Sequence, residues 1–227
     1  TSVNFNMMIM VIYALITIAI FSMWYYARYE GNFLPSPKKT FNPMMLAAIV
    51  ILVPGTQFAA NFIANLTGYI RPDWLQQYNE LFETSGITDT TFVTVLYSVI
   101  LAPICEELIF RGVTMRCARK ALPFALANLM QAALFGLFHL NWIQGIYAFA
   151  LGIVLGYVCE RGGSIYYSMG LHLLFNLWGT LSGFFPDPGN SVVVFVVVIV
   201  VTIVSLVVGF VLFNKGRRKL PINSTGI

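Results

Sequence analysis

Charge is what this sequence has least of. Only 10% of its residues are Asp, Glu, Lys or Arg, against about 25% in a soluble domain. Long charge-free stretches include Thr1 to Ala27, Phe41 to Ile70, Ser191 to Phe213, and Ala121 to Cys159 apart from His139. A soluble globular fold is excluded on that ground. Cysteine is scarce too, with Cys105, Cys117 and Cys159 the only ones and no Cys-x-x-Cys pair, so no disulfide framework is expected. Gly-x-Ser-x-Gly is missing, which argues against a serine hydrolase of that type. His-Glu-x-x-His, the usual zinc-protease signature, is missing as well. No Asp falls inside an apolar stretch, which excludes a membrane-embedded pair of catalytic aspartates. No internal repeat is visible, which disfavours a transporter built from inverted repeats.

Hydrophobic residues fill the space that charge leaves. They make up 58% of the chain, and the mean hydropathy is +0.78. About 20 apolar residues span a bilayer core as a helix. The sequence therefore predicts an all-α, polytopic membrane helix bundle of about seven spans, near 5–27, 43–66, 91–115, 121–140, 142–160, 164–185 and 191–213. The boundary between the fourth and fifth, near Asn141, Trp142 and Gly145, is the least marked. The first span lacks the basic start and the small-x-small site of a signal peptide and is read as a retained helix. One membrane domain over 1–227 is expected. Between spans two and three, Trp74, Leu75, Tyr78, Leu81 and Phe82 predict a short interfacial helix.

Basic residues alternate with the spans. Arg28, Lys38 and Lys39 follow the first, Arg116, Arg119 and Lys120 the third, Arg161 the fifth, and Lys215, Arg217, Arg218 and Lys219 the seventh. The intervening loops carry Asp73, Glu80, Glu83, Asp89 and Asp187 against Arg71 alone. Positive loops stay in the cytosol, so the N-terminus is expected outside and the C-terminus inside. The net charge of +4 reads as cytosolic flanks and not as nucleic-acid binding. The compact size points to a bacterial plasma membrane.

Against this background a few polar residues stand out. Glu106, Glu107 and Arg111 lie in span three, and the only two histidines, His139 and His172, also fall in apolar segments. A charge at the bilayer centre costs roughly 3 kcal/mol or more. Glu107 and Arg111 are four apart with the acid first, the favourable order for a helical ion pair. Glu106 is then left without a local partner, as suits a general base. Pro103 removes a backbone donor just ahead of it. His139 shares a helix face with Phe135 and, taken alone, reads as a satisfied histidine at a helix end. His172 shares a face with Asn176. The two could glue helices together or form a donor pair for an oxyanion. Cys105, beside the glutamates, is a candidate nucleophile, although a cysteine in an apolar helix is more often packing. Two histidines and a glutamate also match the ligand types of zinc proteases.

Glu106-Glu107-x-x-x-Arg111, Phe135-x-x-x-His139 and His172-x-x-x-Asn176, in that order and each in an apolar segment, resemble the three motifs of the CAAX-protease and bacteriocin-processing family of intramembrane proteases, the CPBP or Abi family. Ala-Pro before the glutamates, Phe-Arg-Gly after them and Gly152-x-x-x-Gly156-Tyr157 ahead of Glu160-Arg161 fit too. The resemblance implies a protease core at about 91–186. It implies that Glu106 and His139 activate water, that His172 and Asn176 form an oxyanion hole, and that Glu107, Arg111 and Phe135 support the site. The implied activity is endopeptidase cleavage of a membrane-associated protein or peptide in the lipid bilayer. No cofactor is the preferred expectation. Zinc or another divalent metal, held by Glu106, His139 and His172, is the alternative. A catalytically silent scaffold or bacteriocin-immunity protein of the same fold is the competing function. Counted from the basic ends, Glu106 and His172 reach mid-depth while His139 comes out nearer the external face. Tilt, a short fourth helix or a deep cytosolic cavity would reconcile them.

Overall fold

The computed structural model describes residues 2–28, 41–85, 91–182 and 191–217. Lys38, Lys39, Asp89, Asp187, Arg218 and Lys219 lie outside these, as does the end of the core segment proposed at 91–186. Every described element is a helix: α1 (Ser2–Arg28), α2 (Pro43–Ile70), α3 (Pro72–Ser85), α4 (Phe92–Arg119), α5 (Phe124–Phe138), α6 (Trp142–Gly162), α7 (Ile165–Ser182) and α8 (Val192–Arg217). The expected helical bundle is present, with a helix at each of the seven expected spans. Five of them, in α1, α2, α4, α6 and α8, are long and apolar enough to cross a membrane. The fifteen residues of α5 cover only about 22 Å at 1.5 Å per residue, less than the ~30 Å hydrocarbon core. The eighteen residues of α7 include the polar His172 and Asn176. The interfacial helix expected before span three is α3.

Local sequence explains where the helices stop. Asn141 caps α6, its Oδ1 accepting from Gln144 N–H at 3.1 Å, which places the α5–α6 boundary at residues 139–141. Leu140 there adopts φ 53° and is 94% exposed. Gly163 ends α6 at φ 65°, the left-handed region that glycine enters freely. Pro103 falls inside α4, and the helix widens to π geometry over Leu96–Leu101 just before it and again over Leu108–Met115. Such π turns commonly sit at functional sites.

Lipid tails are as apolar as leucine, so small residues and interhelical hydrogen bonds hold a membrane bundle together. A Cβ on Gly156 of α6 would stand 1.9 Å from Asn128 Oδ1 of α5. Asn128 and Gln131 of α5 donate to Ile153 O and Gly152 O of α6 at 3.1 and 2.9 Å. In α2, Ser205 of α8 lies between Gly55 N–H and Ile51 O, accepting from the first at 2.9 Å and donating to the second.

Tertiary contacts tie the basic helix ends to one another. Arg119 pairs with Glu160 at 3.2 Å. Asn42 donates its N–H to the Tyr167 hydroxyl at 2.9 Å and its carboxamide to Gly216 O at 3.1 Å. Arg116 lies 5.0 Å above the Tyr25 ring. At the opposite end, Trp74 of α3 stacks on Trp142 of α6 at 5.3 Å, and Arg71 pairs with Asp73 at 2.6 Å. That guanidinium holds the Asp73 carboxyl below the usual carboxylate range.

Candidate active site

The site begins with the local geometry of α4. Glu106 and Glu107 are consecutive on a helix and so point about 100° apart. Glu107 faces the packed interior, where its side chain and that of Arg111 are both 0% exposed. The expected ion pair forms, Arg111 Nη1 to Glu107 Oε1 at 2.8 Å. The same Oε1 also accepts from His172 Nδ1 of α7 at 2.9 Å. Arg111 reaches further, donating Nη2 to Gly152 O at 3.2 Å and placing its Cζ 4.5 Å over the Phe135 ring. Glu107 Oε2 and Arg111 Nε have no hydrogen-bond partner among the described residues. The pair is therefore not an isolated neutralisation within α4. It clamps α7 and α6 onto α4.

The carboxylate sets the tautomer of His172. Glu107 Oε1 can only accept, so His172 Nδ1 carries the hydrogen and Nε2 is the variable nitrogen. Nε2 faces Glu106 Oε2 at 3.6 Å. Glu106 is 16% exposed where His172 is 3%: the acid looks into open space, the imidazole into protein. His139 follows the same logic with a different partner. Its Nδ1 lies 2.8 Å from Phe135 O, a carbonyl, so Nδ1–H donates and Nε2 keeps a free lone pair. Phe135 packs edge-on against His139 at 4.9 Å and His172 at 5.7 Å between ring centroids. One phenylalanine thus touches both imidazoles and the guanidinium, which gives Phe135-x-x-x-His139 a packing rationale.

Asn176 is placed by the proline in α4. In the π turn Ala102 N–H donates to Tyr97 O, five residues back. The next donor in that register would be Pro103, which has no N–H, so Ser98 O needs another. Asn176 Nδ2 supplies it at 2.8 Å. One of its two amide hydrogens is committed to holding α7 against α4.

Glu106, Phe135, His139, His172 and Asn176 all line one cavity of about 890 Å³, a volume within the range of ligand sites. Cys105 does not line it and is buried. That separates the cysteine from the place where Glu106, both histidines and Asn176 meet. The sequence reading missed other polar lining residues: Gln57 and Asn61 of α2 and Gln144 and Tyr147 of α6 line the same space. It also missed Asn128 and Gln131. The available signal was polarity at helical spacing inside apolar spans, four apart for Gln57 and Asn61 and three apart for the other two pairs.

The donor types of Glu106, His139 and His172 suit zinc, and each ring has one uncommitted nitrogen. Yet among the described residues no three His, Cys, Asp or Glu side chains stand together as a group that could hold a metal ion. As arranged, the three do not form a ligand set, and no step below passes through a metal.

Residues 88–178 match the family model described as Rce1-like, type II CAAX prenyl endopeptidase Rce1-like. The match takes in all three motifs and leaves α1–α3 and α8 outside it. No curated protein and no solved structure matches the chain. The resemblance carried by the motifs thus holds for the segment that contributes Glu106, Phe135, His139, His172 and Asn176 to the cavity, which is similar to that family. Together with the five long apolar helices, the likeness supports an integral membrane protein.

Proposed function

We propose that this chain is an intramembrane endopeptidase that hydrolyses a peptide bond of a membrane-associated protein or peptide with water activated by Glu106 and His139. The observation that carries the reading is the convergence of Glu106, His139, His172 and Asn176, from α4, α7 and the end of α5, on one cavity. Glu106 takes the proton of a water whose oxygen attacks the carbonyl carbon, and His139 Nε2 holds that water from the other side. The proton then passes to the leaving amine as the C–N bond breaks. His172 and the second N–H of Asn176 donate to the developing oxyanion. His172 Nε2 donates only when it carries a proton, and Glu106 at 3.6 Å is the neighbour able to exchange one with it. Glu107 and Arg111 hold His172 in place. We propose further that no metal takes part.

Glu106→Gln keeps the shape and removes the base, so it is expected to lower peptide cleavage by about 10²–10⁴-fold while the protein still inserts. Cleavage assays on purified protein check this, and activity near the original level would remove Glu106 from its role. Elemental analysis with a phenanthroline titration tests the metal. Substoichiometric zinc and retained activity are expected. Stoichiometric zinc whose removal stops cleavage, with recovery on re-addition, would reassign the same residues as ligands. The silent-scaffold reading draws on the hydrogen bonds that already occupy His139 Nδ1 and Asn176 Nδ2. It expects no difference between the original protein and Glu106→Gln on any peptide.

A further inference from the structure

We infer that the cavity opens on the membrane face opposite the basic loops, so that this chain takes its peptide from the extracytosolic side and not from a cytosolic protein tail. The substrate half of this inference rests on the proteolytic reading above. The half about direction does not.

The direction follows from where lining residues fall along each helix. Arg116 and Arg119 at the end of α4, Arg161 at the end of α6, and Lys215 and Arg217 at the end of α8 share one end of the bundle, joined by the Arg119–Glu160 and Asn42–Gly216 contacts. The cavity occupies the other half. On α2 it is lined from Gln57 to Ala64, in the half that ends at Ile70. On α4 it is lined from Thr94 down to Glu106, at the middle of the helix. On α6 it runs from Gln144 to Leu151, the first half. On α7 it starts at His172, near the middle, and runs to Ser182, the last residue. Tyr78 of α3, beyond the end of α2, lines it as well. Glu106 and His172 are therefore the floor, and Ser182 and α3 the rim.

Aromatic residues mark the level of the rim. Trp142 is 57% exposed, Trp178 39% and Tyr69 85%, all at this end, as expected of a belt at the membrane–water interface. Gln144 and Thr180 each stand two residues from one of these tryptophans, so the mouth lies at headgroup level. Positive loops face the cytosol, so this mouth faces away from it. The same geometry resolves the depth of His139. Because α5 is short, His139 at its end stops below the external face, within a cavity entered from that face. The deep cytosolic cavity considered from the sequence is not needed.

The test uses cysteine labelling of the full chain in intact cells and in inverted vesicles, with a membrane-impermeant maleimide and peptide mapping by mass spectrometry. Cys117 is exposed at the basic end, while Cys105 and Cys159 are buried, so Cys117 is a built-in cytosolic reference. Ser182→Cys and Gln144→Cys place thiols at the rim and inside the cavity, and Glu83→Cys places one on exposed α3. Labelling of the three new thiols only in intact cells, with Cys117 labelled only in inverted vesicles, is the expected result. Labelling of Gln144→Cys from the same side as Cys117 would overturn the inference. So would failure of all three new thiols to react in intact cells. A second arm displays a randomised peptide beside a single-span anchor, on either its extracytosolic or its cytosolic side. Cuts that disappear in Glu106→Gln are expected in the first display only, and cuts confined to the second would overturn the inference. Absence of cutting in both counts against the proteolytic reading alone, since labelling decides the direction by itself.

Discussion

Glu106 and Glu107 are neighbours in the chain and face two regions built on different terms. Behind α4, on the Glu107 side, the bundle is packed: carboxylate, guanidinium and imidazole are buried and bonded to one another and to Gly152 O. In front of α4, on the Glu106 side, the bundle is hollow, and among the described residues the acid's ion-pair neighbour is His172 at 3.6 Å. The lesson is a division of labour across one helical step of about 100°. A buried charge held by an ion pair gives rigidity, and removing one partner strands the other. An under-bonded carboxylate beside a cavity keeps valences for a reactant. The two acids should therefore fail differently when changed.

The largest expected effect breaks the packed side. Glu107→Ala leaves Arg111 buried without its counter-ion and His172 without its anchor. A loss of about 3–5 kcal/mol is expected, as for other broken buried pairs, measured by unfolding in detergent. Glu106→Gln should leave the same unfolding curve almost unmoved. If both variants unfold alike, the contrast between the two regions is lost. A smaller effect is expected where α5 packs on α6. Gly156→Val puts a Cβ where Asn128 Oδ1 stands, 1.9 Å away, and overpacking of this kind costs about 1–3 kcal/mol. Its signature is lower stability, with any surviving folded fraction still showing the Glu106-dependent chemistry. The smallest effect sharpens the hollow side. Leu140, next to His139, holds φ 53°, a left-handed conformation costing a side-chain-bearing residue roughly 1–2 kcal/mol. Leu140→Gly relieves it but adds chain entropy on unfolding. A net gain of about 1 kcal/mol or less is expected, read in the same unfolding assay. A loss of stability instead would mean that the Leu140 side chain, 94% exposed here, is held by contacts with lipid.

Much of this was legible from residue order. The helices stand where apolar length predicted them, because lipid leaves the backbone no other partner than itself. The Glu107–Arg111 pair followed from a spacing of four. The break at 139–141 was the least marked boundary, since no charge interrupts the apolar run there and the stop comes from an asparagine cap. The link from Glu107 to His172 was not legible, because it joins residues 65 apart in sequence. Nor was the role of Pro103 in recruiting Asn176, which depends on a π turn whose register no local pattern announces.

The sequence by itself determined that this chain is a helical membrane protein, which helix ends share a side, and which few polar residues have been brought into lipid. Each is a matter of transfer free energy along one chain, and composition and spacing suffice to state it. Only the tertiary structure decided which of those polar residues bond to each other, which face a cavity, and towards which end that cavity widens. Those outcomes turn on the rotation and depth of each helix against its neighbours. A rotation of about 100° separates Glu106 from Glu107, and a helix of fifteen residues instead of about twenty sets the depth of His139.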